Sequence, residues 1–100
     1  MAKLSLVEIK EQLESLKGWQ SGENAISKQF VFPSFKEAMS FVNAVAELAE
    51  AADHHPDILI AYRRVTLTLW THTEGGVTER DLKMAKQIEQ LPILKPQGDQ

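Results

Sequence analysis

At Pro56 the hydrophobic pattern of this chain changes period. Before it, Phe35, Ala38, Met39, Val42, Val45, Ala46 and Ala49 recur at helical spacing as far as about Ala52, and Phe41 and Leu48 widen the stripe. A stripe that wide belongs to a well-buried helix. After Pro56 the spacing falls to two. Ile58 to Tyr62 and Val65 to Thr71 read as strands joined at Arg63-Arg64. Val65, Leu67 and Leu69 share one face, and Thr66, Thr68, Trp70 and His72 share the other. Proline cannot continue a helix and drives the preceding His55 toward extended backbone. The chain must therefore hand a buried helix directly to an antiparallel hairpin.

The flanking segments extend the pattern. Ser5 to Lys17 reads as a helix with Leu6, Ile9, Leu13 and Leu16 on one stripe, a Ser5-x-x-Glu8 capping box and Gly18 beyond its end. Gly22-Glu23-Asn24 is a turn between a short strand at Trp19 to Ser21 and a longer one from Ile26 to Phe32. Ile26, Phe30 and Phe32 face one way, interrupted by Lys28. Pro33 stops that strand, and Ser34-x-x-Glu37 forms a second capping box. Thr78, with Asp81 three residues on, opens a last helix whose stripe is Leu82, Ala85, Ile88 and Leu91, ended by Pro92. The order α-β-β-α-β-β-α predicts an α+β fold, one domain over residues 1–100, with about four antiparallel strands and three helices packed on one face. Residues 1–4 and 93–100 are expected to be flexible.

A chain of 100 residues makes one domain with one modest core. It has no cysteine, so disulfides and thiolate chemistry are excluded. The net charge of -3 speaks against direct nucleic-acid binding, which usually needs a basic surplus. No apolar run is long enough to span a membrane, and the N-terminal residues lack a signal-peptide core. Cytoplasmic location is the expectation.

All three histidines lie between positions 54 and 72. If the two strands after Pro56 pair as a hairpin, the start of the first meets the end of the second, and His72 comes beside His54 and His55. Imidazole titrates near neutrality, so convergent imidazoles can act as general acid and general base in one turnover. Glu50, Asp53 and Asp57 are near in sequence and can fix a tautomer. Three readings remain open on the residues alone: a solvated loop at a helix end, an acid–base site, or a metal site. The metal reading lacks an H-E-x-x-H or H-x-H signature. No nucleophile elbow or phosphate-binding glycine loop is present.

The run Glu50-x-x-Asp53-His54-His55-Pro56-Asp57, followed by Tyr62, Val65, Thr71-His72 and Gly76-x-Thr78-x-x-Asp81, resembles the pterin-4a-carbinolamine dehydratase family. The likeness runs from Gly18-Trp19 through Lys28-Gln29-Phe30 to the last helix. It implies dehydration of 4a-hydroxytetrahydrobiopterin to quinonoid dihydropterin, a hydro-lyase reaction that needs neither metal nor organic cofactor. By resemblance, His54, His55 and His72 are catalytic, with His54 and His72 as the acid–base pair and His55 orienting the pterin. Glu50, Asp53, Pro56, Trp19, Arg80 and Asp81 then belong to the substrate pocket. Many relatives carry Trp where this chain has Ile58, and Asn where it has Ile60. The resemblance also implies a homodimer or homotetramer. The alternative is a non-catalytic scaffolding or transcriptional dimerisation-cofactor module on the same fold; the three histidines favour the enzyme.

Overall fold

The computed structural model describes residues 3–22 and 24–94. Its elements run α1 (Leu6–Leu13), β1 (Gln20–Ser21), β2 (Ile26–Val31), α2 (Phe35–Ala52), β3 (Asp57–Ala61), β4 (Arg64–Leu69) and α3 (Glu79–Glu89), with short 3-10 turns at His72–Glu74 and Pro92–Leu94. The four strands form one antiparallel sheet in the order β1-β2-β4-β3. This is the expected α+β fold in the expected order. Among the described residues no helix is long and apolar enough to cross a membrane.

Period-two alternation decides which face of the sheet is covered. Ile26, Phe30, Val65, Leu67 and Leu69 are buried on one face, against Ala38, Phe41 and Val45 of α2 and Leu82, Ala85 and Ile88 of α3. The Phe41 ring centroid lies 4.7 Å from that of Phe30 and 5.0 Å from that of Phe32. The other face carries Ser27, Gln29, Thr66 and Thr68 and, among the described residues, has no helix over it. Lys28 points to the covered face. Its Nζ lies over the Phe30 ring, 4.8 Å from the centroid, and donates to Glu89 Oε2 at 2.6 Å and to the Lys17 carbonyl at 3.0 Å. A long cationic side chain can sit at the edge of a core in this way because its head reaches polar partners.

Several boundaries differ from the sequence reading. The first helix stops at Leu13 rather than Lys17, and Leu16 N–H bonds back to the Leu13 carbonyl in a tighter turn. That turn buries Leu16, while Leu6, expected on the same stripe, is exposed. The capping box at Ser5 and Glu8 forms in full. At α2 only half forms: Ser34 Oγ accepts from the Glu37 N–H, and the Glu37 side chain does not return the bond. The β3–β4 turn is Tyr62-Arg63, one residue earlier than expected, because Ala61 pairs with Arg64 and Tyr62 takes a left-handed φ of 58°. β4 ends at Leu69, two residues short of Thr71, which forms an isolated bridge with Gly76. Glu23 of the predicted first turn, and residues 1, 2 and 95–100 of the segments expected to be flexible, lie outside the described residues.

Candidate active site

The site forms where the end of α2, the segment after β4 and the start of α3 meet. Asp53, just past α2, has φ 51° and ψ 45°, its N–H bonds to the Glu50 carbonyl, and the His54 N–H reaches back to the Ala49 carbonyl. These are the two bonds of a Schellman motif, with Asp in the left-handed position that glycine usually fills. Arg80 of α3 reinforces the same corner, its guanidinium donating to the Asp53 carbonyl at 2.9 Å and the Ala52 carbonyl at 3.4 Å. Carbonyls at a helix C-terminus lack intrahelical partners and carry partial negative charge, so a cation there satisfies both needs. The backbone of His54 is therefore pinned from two sides.

Its ring is pinned by Asp81. This carboxylate is fully buried yet completely partnered. Oδ1 faces His54 Nε2 at 2.5 Å, and Oδ2 accepts from the Thr71 hydroxyl at 2.8 Å and from the Thr78 N–H at 2.9 Å. Thr78 Oγ1 lies 2.8 Å from Thr71 Oγ1 and accepts from the Arg80 N–H. The Thr71 hydroxyl and the Thr78 N–H both donate to Asp81, and an acceptor-only carboxylate opposite His54 requires that ring to carry its proton on Nε2. Nδ1 is then the nitrogen left to exchange protons. Among the described residues no buried side-chain nitrogen or oxygen lacks a partner.

His54 and Arg80 open onto a cleft of about 330 Å³ that is also lined by Asp53, His55, Thr71, His72 and Thr73. His55 is exposed, with Nε2 2.7 Å from Glu50 Oε2. His72 is exposed in its 3-10 turn, its ring stacked on Trp70 at 3.9 Å between centroids and 29° between planes. The register Asp57↔Thr68 delivers the expected meeting of the start of β3 with the end of β4. One wall therefore presents a buried imidazole with a fixed orientation, and the rim presents two exposed ones. A pair of imidazoles in one cleft can deliver and remove protons on the same molecule. Among the described residues no group of three or more His, Asp or Glu side chains is arranged to hold a metal ion.

Comparison with known proteins decides the family. The model of the pterin 4 alpha carbinolamine dehydratase family matches residues 2–91. The chain belongs to this family. A dehydratase relative from Thermomicrobium roseum, provisionally named pterin-4-alpha-carbinolamine dehydratase, is 50% identical over 91 residues, 91% of this chain and 98% of its own. A relative from Koribacter versatilis with the same provisional name is 52% identical over 84 residues, 84% of this chain and 89% of its own. Among solved structures, a transcriptional coactivator/pterin dehydratase from Brucella melitensis superposes with a TM-score of 0.85 at 42% identity, covering 93% of this chain and 99% of that one. A pterin dehydratase-like protein described as a RuBisCO assembly factor in the alpha-carboxysome gives 0.61 at 25% identity, covering 76% of this chain and 86% of that one.

Within this dehydratase-family chain, most residues that the sequence singled out come together. His54, His55, His72, Asp53 and Arg80 line the cleft, Glu50 joins it through His55, and Asp81 joins it through His54. Pro56 follows directly in the chain, half-buried, and is not part of the lining. Trp19 is not brought there. It is buried in the core against Phe30 and donates from Nε1 to Glu89 Oε2 at 2.8 Å. Ile58 packs against the core rather than lining the cleft. The sequence reading gave Thr78 only as a helix cap and gave Thr71 no role of its own. A signal for Thr71 was available: on the period-two face of Val65, Leu67 and Leu69 it is the next position, and a hydroxyl on a buried face requires a partner.

Proposed function

We propose that this protein dehydrates 4a-hydroxytetrahydrobiopterin to quinonoid dihydropterin by histidine general acid–base catalysis, as a hydro-lyase of tetrahydrobiopterin recycling. The observation that carries this reading is the placement of three imidazoles on one cleft, with Nε2 of His54 committed to Asp81. Loss of the 4a-hydroxyl breaks the C4a–O bond and forms a C=N bond to the adjacent ring nitrogen. The departing oxygen takes up a proton and leaves as water, and the ring nitrogen gives one up, so protons and electrons balance with no further reactant. His54 Nδ1 takes the ring proton, and His72 at the rim supplies the proton for the hydroxyl. His55, aligned by Glu50, orients the pterin, and Asp53, Pro56 and Arg80 shape its pocket. The protein works in the cytoplasm as a homodimer or homotetramer, without binding nucleic acid directly.

The test is turnover by purified protein, followed through decay of the 4a-carbinolamine absorbance. His54→Ala and His72→Ala should each lower the rate by at least about tenfold, a floor set below the ~10²–10⁴-fold that a positioned acid or base contributes. Wild-type rates no better than buffer would remove the proposal. The likeness to a structure described as a RuBisCO assembly factor supports a second reading, a binding module on the same fold. In that case a protein partner is captured, and changes on the uncovered sheet face abolish capture while the histidine changes do not.

A further inference from the structure

The Asp81 network holds more than a helix cap requires. A capping box needs only Thr78 and Asp81, and both halves of it are present. Thr71 comes from outside the helix, beyond the end of β4, and is 3% exposed. Its single proton goes to Asp81 Oδ2 at 2.8 Å. The 2.8 Å contact between Thr71 and Thr78 hydroxyls must then carry the proton of Thr78, donated to Thr71 Oγ1. The protons run one way, from Thr78 through Thr71 to Asp81. A carboxylate held by donors on Oδ2 cannot rotate or exchange its oxygens without breaking them, so Oδ1 stays fixed opposite His54 Nε2.

From this we infer that Thr71 is a positioning residue. Acting through Asp81, its hydroxyl holds His54 in the Nε2–H tautomer and keeps Nδ1 available as the proton-exchanging nitrogen. The role in turnover rests on the reading of His54 as an acid–base group; the tautomer itself does not. The buried-cap alternative assigns Thr71 only to stability. It predicts that removing the hydroxyl weakens the fold and leaves the ring of His54 as it was.

Ring nitrogen-15 NMR of the full chain separates the two. In the wild type, His54 should show one dominant tautomer with Nε2 protonated; a dominant Nδ1–H form would overturn the inference outright. Thr71→Val keeps the shape and removes the hydroxyl, and should mix the two tautomers and lower kcat about tenfold with KM little changed. Thr71→Ser restores the hydroxyl and should restore both readouts, and it serves as the deciding comparison should the valine variant not fold. A Thr71→Ser protein that is folded but tautomerically mixed would overturn the inference. So would a valine variant with unaltered tautomer and kcat, or one whose KM alone rises, since Thr71 would then be contacting substrate directly. A wild type without turnover but with a tautomer that responds to Thr71→Val would sink the dehydratase reading and leave this one standing.

Discussion

Replacing Asp81 by alanine and by asparagine should separate what the buried carboxylate does for the fold from what it does for His54. Asp81→Ala leaves three donors without an acceptor: the Thr71 hydroxyl, the Thr78 N–H and His54 Nε2–H. The Thr71 hydroxyl can turn to Thr78 Oγ1, 2.8 Å away, only by displacing the proton that Thr78 donates to it, so three donors remain unsatisfied. At about 1–3 kcal/mol for each buried unsatisfied group, with a charged partner removed as well, the loss is about 3–5 kcal/mol. Against a total stability of about 5–15 kcal/mol for such a domain, that is a large fraction, and the melting midpoint should fall by at least about 10 °C. Asp81→Asn behaves differently. Its amide oxygen can still accept from Thr71 and Thr78, while its NH2 takes the place of Oδ1 and must donate to His54. His54 is then forced to present a lone pair at Nε2 and to carry its proton on Nδ1. Stability should fall by only about 1–2 kcal/mol, the difference between a charge-assisted and a neutral bond, while the rate falls by about 10²–10⁴-fold. Urea unfolding and single-turnover rates measure the two effects. An alanine variant that loses under about 1 kcal/mol, or an asparagine variant with the wild-type rate, would refute the reasoning.

Other outcomes follow from particular contacts. Tyr62→Gly should raise stability by about 0.5–1 kcal/mol in thermal unfolding, because Tyr62 holds a φ of 58° in an exposed turn where glycine carries no steric penalty. Trp19→Phe should cost about 1–2 kcal/mol through the lost Nε1–H bond to Glu89 and lost packing, with kcat and KM unchanged, since Trp19 does not line the cleft. The Ser5 backbone N–H, and secondarily the Ser5 side chain, hold the Glu8 carboxyl below its ordinary pKa. A lowered carboxyl contributes stability above its ordinary range that is lost as pH falls through the folded value. Amide protection in the first turn of α1, corrected for intrinsic exchange, should therefore drop on acidification, and Glu8→Gln should flatten that dependence.

The layout was legible because periodicity and punctuation agree over most of the chain. α2 carries an unbroken helical stripe, and β4 a strict alternation, so type and buried face follow from the residues alone. Misreadings fall where local geometry is set by backbone bonds rather than by apolar spacing. Leu13 and Leu16 continue a helical stripe, yet a tighter turn buries Leu16 without extending the helix. Tyr62 occupies a left-handed position that sequence habit reserves for glycine, so it does not announce its turn, whereas the end of α2 before the left-handed Asp53 was legible from Pro56. The histidine cluster was readable from the hairpin argument, because pairing fixes which strand ends meet. Trp19 is assigned to the pocket by resemblance alone, and its own residue type fits a core position equally well, which is where the structure buries it.

The three imidazoles differ in what the fold asks of them. His54 is nearly buried and tied to Asp81, so the folded state itself resists its loss. His55 and His72 are exposed, one bound only to a surface carboxylate and the other resting on Trp70. An exposed ion pair contributes about 0–1 kcal/mol, so replacing either residue would leave the domain standing. A chain on this fold that had exchanged catalysis for a scaffolding role could therefore shed His55 and His72 freely while Asp81 and Thr78 stayed in place as a helix cap. The presence of Asp81 therefore does not separate an enzyme from a scaffold, because a helix cap already calls for it, whereas the two exposed histidines do separate them because stability does not demand them. Their joint presence beside His54 is what weights the enzymatic reading above the scaffolding one, and a double variant lacking both that folds normally but turns over no faster than buffer is the result this argument requires.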